Sequence, residues 1–368
     1  MRHAVTIVGL ALALLAPAAT SRERPRLVRQ PPHQPRFIPQ SVSFISSRVG
    51  WAWGPSGWSS ALPTRGVLAR TIDGGRHWTV VGPAALRYAQ PGPGYWKADS
   101  SVRFLDRLHG YLFGGLLLAT ADGGSTWRVI FSEQPVLDVE TGAGRAYALT
   151  STGLYRITRY LERIGPAVPG PRATLVVHGA AVYLLVPPSQ AGQPAVLWAS
   201  PDAGRSWRRE SAPCTWSGAL ASALAAWSSD GLALACGGQP AAGRQTKTFF
   251  VSTDGGARWR LTGRIGFVDG YVLRLAAANA HTWVLAEAPG IELSTDGGHT
   301  WRPPRFTGRQ FEVEAWGDVS FMNSSDAVAV PATLNGSVLA FSRDRARTWT
   351  EVPFDNSAEP PAASRWSP

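Results

Sequence analysis

The sequence predicts an all-β chain folded as a seven-bladed β-propeller of four-stranded antiparallel blades. Three observations predict it. One eight-residue pattern occurs six times, its copies recur at a nearly constant interval, and short apolar strand-like runs flank each copy.

The pattern is Ser/Thr-x-Asp-x-Gly-x-x-Trp. It first reads Thr71-Ile72-Asp73-Gly74-Gly75-Arg76-His77-Trp78, then Thr120-Ala121-Asp122-Gly123-Gly124-Ser125-Thr126-Trp127. Further copies run from Ser200 to Trp207, Ser252 to Trp259 and Ser294 to Trp301, and a degraded one closes the series from Ser342 to Trp349. Its chemistry is that of a hairpin turn. The Asp carboxylate and the Ser/Thr hydroxyl serve backbone groups that lack ladder partners. The second Gly suits a positive φ, and the Trp folds back over the turn. A structural role is therefore assigned to Asp73, Gly75 and Trp78; to Asp122, Gly124 and Trp127; and to Asp202, Gly204 and Trp207. The same role falls to Asp254, Gly256 and Trp259; to Asp296, Gly298 and Trp301; and to Asp344 with Trp349.

The aspartates at 73, 122, 202, 254, 296 and 344 stand 49, 80, 52, 42 and 48 residues apart. The step of 80 holds two units, so a degenerate unit is expected between 122 and 202. Val136-Leu137-Asp138-Val139, Ala146-Tyr147-Ala148-Leu149 and Gly153-Leu154-Tyr155-Arg156 supply its strands, with the turn reduced to Ser151-Thr152-Gly153. The first half of the unit repeats as well. Ser43-Phe44 and Gly50-Trp51-Ala52-Trp53-Gly54 match Arg103-Phe104 and Gly110-Tyr111-Leu112-Phe113-Gly114. Seven units then occupy residues 41–354.

These repeats resemble the Asp-box, or BNR, repeats of the sialidase-like propellers. The early Gly50-Trp51-Ala52-Trp53-Gly54 followed by the box at 71–78 most resembles the photosystem II assembly and stability factors and their bacterial relatives. The resemblance covers nearly all of residues 41–354. It implies a propeller that acts as a protein-binding scaffold or assembly factor without catalysis. The same repeat serves hydrolases, so the alternative is a sialidase-like or xyloglucanase-like glycoside hydrolase or a glycan-binding protein. Arg36-Phe37-Ile38-Pro39 has the composition of the sialidase Phe-Arg-Ile-Pro element in a different order, which weakens transfer of the sialidase arginine.

Outside the repeats, residues 1–20 read as a signal peptide. A basic start precedes an apolar run from Val5 to Ala16, too short to span a membrane, and Ala16-Pro17-Ala18 offers a cleavage site. Export to the periplasm, cell surface or medium is expected. Residues 21–40 read as a basic, Pro-rich arm with Arg22, Arg24, Arg26, Arg29 and Arg36; it is a solvated linker or an attachment to an anionic surface. Residues 355–368 read as a disordered tail. The net charge is +11, yet only Lys97 and Lys247 are lysines. No interleaved basic-aromatic motif is present, so nucleic acid is set aside. Cys214 and Cys236 both fall in the fifth unit, as a disulfide or as two buried thiols.

In a meandering blade with strands A to D, the A–B and C–D turns share one face. The boxes are C–D turns. The A–B turns at 46–49, 106–109 and 279–281 are short, whereas the long insertions at 55–65, 83–99, 187–194 and 237–247 fall at B–C or D–A. The working face is therefore expected opposite the boxes. Its candidate binding residues are Trp58, Arg65, Arg87, Tyr88, Tyr95, Trp96, Lys97 and Trp216, which suit a protein partner or a sugar ring. Catalysis by a glycosidase needs two carboxyl groups flanking one bond. Asp99, Asp269, Glu312 and Glu314 lie near that face, but no spacing pairs them. No His pair stands at i, i+4, and no nucleophile elbow or phosphate loop occurs. The expectation is a monomer with no metal and no cofactor.

Overall fold

The regular elements of the described residues are strands of three to ten residues, continuously apolar in the middle of most blades and more polar at the outer edge, interrupted by Gly, Asn and Asp turns. The computed structural model describes residues 37–56, 65–82, 101–131, 133–167, 173–218, 222–287, 290–307, 316–331 and 338–354. Residues 1–36 and 355–368, which hold the expected signal peptide, most of the arm and the tail, lie outside the described residues.

Blade 1 is β1 (Ser41–Phe44), β2 (Gly50–Ser56), β3 (Arg65–Thr71) and β4 (Thr79–Val81). Blade 2 is β5 (Ser101–Phe104), β6 (Gly110–Phe113), β7 (Leu117–Thr120) and β8 (Arg128–Phe131). Blade 3, the unit without a box, is β9 (Val136–Gly142), β10 (Arg145–Thr150), β11 (Leu154–Ile157) and β12 (Leu161–Arg163). Blade 4 is β13 (Thr174–His178), β14 (Ala181–Val186), β15 (Ala195–Ser200) and β16 (Arg208–Ala212). Blade 5 is β17 (Ser222–Ala226), β18 (Leu232–Gly237), β19 (Arg244–Ser252) and β20 (Arg260–Asp269). Blade 6 has three strands, β21 (Val272–Ala277), β22 (Trp283–Glu287) and β23 (Ile291–Ser294). Then β24 (Arg305–Thr307) crosses to blade 7, which is β25 (Trp316–Phe321), β26 (Ala327–Pro331), β27 (Val338–Ser342) and β28 (Thr348–Pro353). The result is a seven-bladed propeller of mostly four-stranded antiparallel blades, and none of the described residues is helical.

The departure from four strands is local. After the box of blade 6, Arg302 pairs with Leu293 through both backbone bonds, N–O 2.8 and 3.0 Å. Pro303 and Pro304 follow, and proline has no N–H to extend the ladder. The chain leaves, and β24 pairs in parallel with β28, giving blade 7 a fifth strand.

The apolar core divides by interface. Seven clusters of buried side chains lie between successive blades, one to each neighbouring pair. Between blades 1 and 2, Trp51 stacks on Phe104 with centroids 3.7 Å apart, and the inner strands are tied where Ser41 and Ser43 hydroxyls accept the Val102 and Phe104 amides. The ring closes without sharing a strand between first and last blades. Val42, Ala52 and Ala69 of blade 1 meet Val328, Leu339 and Phe341 of blade 7 instead. Arg343 donates across the same seam to the Gly74 carbonyl, 2.6 Å.

The box turns have one construction. In blade 2, the Thr120 hydroxyl accepts the Gly124 amide at 3.0 Å and donates to Asp122 Oδ1 at 2.8 Å. Asp122 accepts the Thr126 amide at 2.9 Å and the Thr126 hydroxyl at 2.6 Å. Trp127 Nε1–H donates to the Gly124 carbonyl at 2.9 Å. Gly124 sits at φ +102°, where a Cβ would stand 2.5 Å from Leu68 Cδ2. The degraded copy keeps this backbone without glycine, with Arg345 at φ 64° and Ala346 at φ 62°. In blade 3 the reduced turn is braced from outside, since Gln134 donates to Thr152 and accepts from Ser151.

Candidate functional site

The two faces divide the bonding unequally. In each box blade the amide of the residue after the box Asp reaches the A–B turn of the same blade. Gly74 donates to Arg48 O at 2.8 Å, Gly123 to Leu108 O at 2.9 Å and Gly297 to His281 O at 2.9 Å. The A–B turns are closed from within: Asp106 accepts the Leu108 and His109 amides, and Asn279 accepts those of His281 and Thr282. Boxes and A–B turns thus lie together on one face and are bonded to each other. The described B–C connections, 187–194 and 238–243, leave from the opposite ends of their strands.

The candidate binding residues are unevenly visible there. Trp58, Arg87, Tyr88, Tyr95, Trp96 and Lys97 lie outside the described residues, as do the carboxylates Asp99, Glu312 and Glu314. Arg65 opens β3 and pairs with Ser56. Trp216 lies in the connection from β16 to β17, half-buried, its ring against Gly218. Its indole N–H is buried and no described group accepts it. Just before it, Cys214 is bonded to Cys236 of β18, which links the outer end of blade 4 to the second strand of blade 5.

Through the centre of the ring run the inner strands β1, β5, β9, β13, β17, β21 and β25, successive ones packed side by side. Four of them carry charge that sequence reasoning did not single out. Arg103 on β5 donates to Glu140 on β9 at 2.9 Å and to the Val139 carbonyl at 3.0 Å. Arg274 on β21 donates to Asp318 on β25 at 3.0 Å. Asp138, on the same strand face as Glu140, is buried and acts on both arginines. The five groups therefore form one electrostatic cluster across the channel, two cations against three carboxylates.

Their ionisation follows from the enclosure. Asp318 holds Arg274 firmly protonated against the cost of burial. Burial opposes the charge on Arg103, but Glu140, Asp138 and Asp318 outweigh it. Burial lifts the Glu140 carboxyl above the usual range, Arg103 pulls it down, and Asp138 pushes it up again. Each arginine already holds a carboxylate of the neighbouring blade, so the cluster cross-ties blade 2 to 3 and blade 6 to 7. A signal was present in Asp138-Val139-Glu140, two acids two residues apart in a strand, hence on one face. Among the described residues, no group of three His, Cys, Asp or Glu could hold a metal ion.

No protein-family model matches this sequence, and no curated protein matches it. Solved structures match in fold. YCF48, solved bound to a D1 peptide, aligns with a TM-score of 0.50 at 18% identity, over 82% of this chain and 91% of that one. A puromycin-hydrolyzing peptidase of Mycobacterium tuberculosis aligns with a TM-score of 0.54 at 9% identity, over 82% of this chain and 51% of that one. The GH74 enzyme of Niastella koreensis aligns with a TM-score of 0.44 at 12% identity, over 85% of this chain and 65% of that one. At these identities the likeness is one of fold.

Proposed function

We infer that this chain is an exported scaffold of the Asp-box, assembly-factor type, which binds a protein partner on the face opposite the boxes and performs no catalysis. The observation that carries the reading is the pairing in the channel. Glycoside hydrolysis needs one carboxyl group free to give a proton and a second free to attack or activate water. Here Glu140 and Asp318 are each bonded to an arginine of a neighbouring blade, which suits holding blades together. The box face is spent on its own turns, which leaves the long connections, with Trp58, Arg65, Arg87, Tyr88, Tyr95, Trp96, Lys97 and Trp216, as the binding surface. The fold neighbour YCF48, bound to a D1 peptide, supports a peptide or protein as the ligand class.

The test is capture from the producing cell with the immobilised chain, beside a glycan array. The expected result is a protein whose retention falls at least about tenfold with Trp96→Ala and survives Asp122→Ala. Specific glycan binding without a captured protein, or loss of capture in a normally folded Asp122→Ala chain, would overturn the assignment.

A further inference from the structure

The box face uses its backbone groups and its aspartates on its own turns, and the side chains at the tips of those turns are left over. The residue after the box Ser/Thr stands at such a tip. It is Ile72 in blade 1 and Ala121, Pro201, Thr253, Thr295 and Arg343 in the other box blades, so the turn asks nothing apolar of this position. Each A–B turn carries a second tip, the residue whose carbonyl accepts the amide after the box Asp. It is Leu108 in blade 2 and Arg48, Ala180, Asp230, His281 and Ser325 elsewhere. In blade 3 residues 158–160 make the C–D turn, closed where the Thr158 amide and hydroxyl donate to the Tyr160 carbonyl at 2.9 and 3.1 Å. The Tyr160 ring takes no part in that closure.

Ile72, Leu108 and Tyr160 are 63, 54 and 69% exposed. Of the eight large apolar side chains that stand exposed among the described residues, these three share the box face. The other five lie on outer strands or, as Leu116, in a B–C turn. The three sit on consecutive blades, and blades 4, 5 and 6 have no counterpart on this face. Blades 1 and 2 meet between the first two tips. Arg70, two residues before Ile72, lies over Trp51 with its guanidinium 5.6 Å from the ring centroid. Trp51 Nε1–H in turn donates to the carbonyl of Gly123 at 3.1 Å, and the Gly123 amide bonds Leu108 O at 2.9 Å.

Arginines accompany the apolar tips. Arg76, Arg107 and Arg159 are exposed in the same turns as Ile72, Leu108 and Tyr160, and Arg48 is exposed in the A–B turn of blade 1. Among the described residues none of these four guanidinium groups has a hydrogen-bond or ion-pair partner. The acids of the same turns are occupied. Asp73, Asp106 and Asp122 each accept two or more bonds from amides and side chains of their own turns. The box-face turns of blades 1 to 3, with the strand residues next to them, hold seven arginines against three aspartates.

We propose that the box face of blades 1 to 3 docks on an anionic lipid bilayer. Ile72, Leu108 and Tyr160 sink to the boundary of headgroups and acyl chains, and the arginines around them meet lipid phosphates. A bilayer serves both kinds of side chain at once. An acidic protein or polymer would engage the arginines and leave the apolar tips in water. Docked in this way, the chain turns its long connections away from the membrane. The docking rests on other residues than the partner surface inferred above and stands or falls apart from it.

The test reads contact at the face itself. Cys214 and Cys236 are bonded to each other, so one introduced cysteine is the sole free thiol of the chain. Ala121→Cys, amid the three tips, and Thr253→Cys, at the same box position of blade 5, each carry a polarity-sensitive nitrobenzoxadiazole label. The full chain is titrated with vesicles of phosphatidylglycerol and phosphatidylcholine in about equal parts. Emission at 121 is expected to rise at least about twofold while emission at 253 stays as in buffer. Vesicles of phosphatidylcholine alone leave both labels unchanged. Ile72→Ser with Leu108→Ser raises the lipid needed for half the change at least about tenfold. Arg76→Gln with Arg107→Gln and Arg159→Gln does the same and flattens the salt dependence. Leu261→Ser with Phe267→Ser, which removes exposed apolar residues of β20, changes nothing. An equal rise at 253, a label at 121 that stays in water whether or not the chain sediments with vesicles, or unchanged affinity without Ile72 and Leu108 would overturn the proposal. So would a stronger response at 121 to soluble poly-glutamate than to the vesicles, which would assign the face to an acidic protein.

Discussion

The boxes invite the assumption that their aspartate matters most, and the geometry reverses it. Thr120 is 5% exposed, and its hydroxyl accepts the buried Gly124 amide at 3.0 Å and the Asp122 amide at 3.3 Å while donating to Asp122. Asp122 is exposed, and the Thr126 groups that it accepts are exposed with it. Thr120→Val keeps the shape of the side chain but leaves the Gly124 N–H buried without a partner, at a cost of about 1–3 kcal/mol. Asp122→Ala releases donors that water can serve, at about 1 kcal/mol or less. Thr120→Ser keeps the hydroxyl and controls for the lost methyl. Equilibrium urea unfolding of the three variants, with unchanged slopes, gives the order directly. The same order is expected at Ser294, which is fully buried, against Asp296. If Asp122→Ala were the costlier change by about 1 kcal/mol or more, the hydroxyl would not be the hub of the turn.

Acid should loosen all six box turns together. The Thr126 hydroxyl and amide hold Asp122 at about 2, and Ser206 holds Asp202 at about 2 in the same way. At Asp73 some burial opposes ionisation, but His77 and Thr71 bring it to about 2. Carboxyls depressed on folding add stability above the unfolded value of 3.8, and that stability is lost as pH falls toward about 2, so melting temperature should drop across this window. A melting temperature flat over the same window would contradict the box geometry. Breaking Cys214–Cys236, which spans 22 residues, should cost about 3 kcal/mol, read from urea unfolding of the Cys214→Ser, Cys236→Ser double variant. Lys247→Met strands the buried Glu287 carboxylate and should cost about 3–5 kcal/mol, while adding Glu287→Leu should recover most of it, a sign that the pair is not itself a large net stabiliser.

How much of this was legible depends on the distance over which a residue finds its partners. The boxes were legible because each is closed within eight residues: the Ser/Thr, the Asp, the Gly and the Trp of one copy bond one another. Counting such closed units gives the blades, and the doubled interval between Asp122 and Asp202 located blade 3, whose strands form where the apolar runs stand. The face assignment followed from strand order alone. The channel cluster was not legible in this way. Arg103 meets Glu140 across 37 residues and Arg274 meets Asp318 across 44, and their meeting depends on the register in which neighbouring inner strands pack. The long connections that carry most of the candidate binding residues lie outside the described residues, so their assignment still rests on the sequence.

The missing fourth strand of blade 6 is the opposite case, a long-range feature with a short-range cause. After the boxes at Trp78, Trp127, Trp207, Trp259 and Trp349, the next three residues contain no proline, and an outer strand forms in each blade. After Trp301 come Arg302, Pro303 and Pro304. One ladder pair is made at Arg302, and the donor for the next is missing. The chain could have restored four strands by placing Ser, Thr or Val at these two positions. It instead spends β24 on blade 7, which already has four strands of its own. Pro303→Thr with Pro304→Val restores the missing N–H and should let the chain complete its own fourth strand. Hydrogen exchange at the Ile291 amide should then slow, and unaltered exchange would show that something other than the two prolines turns the chain away from blade 6.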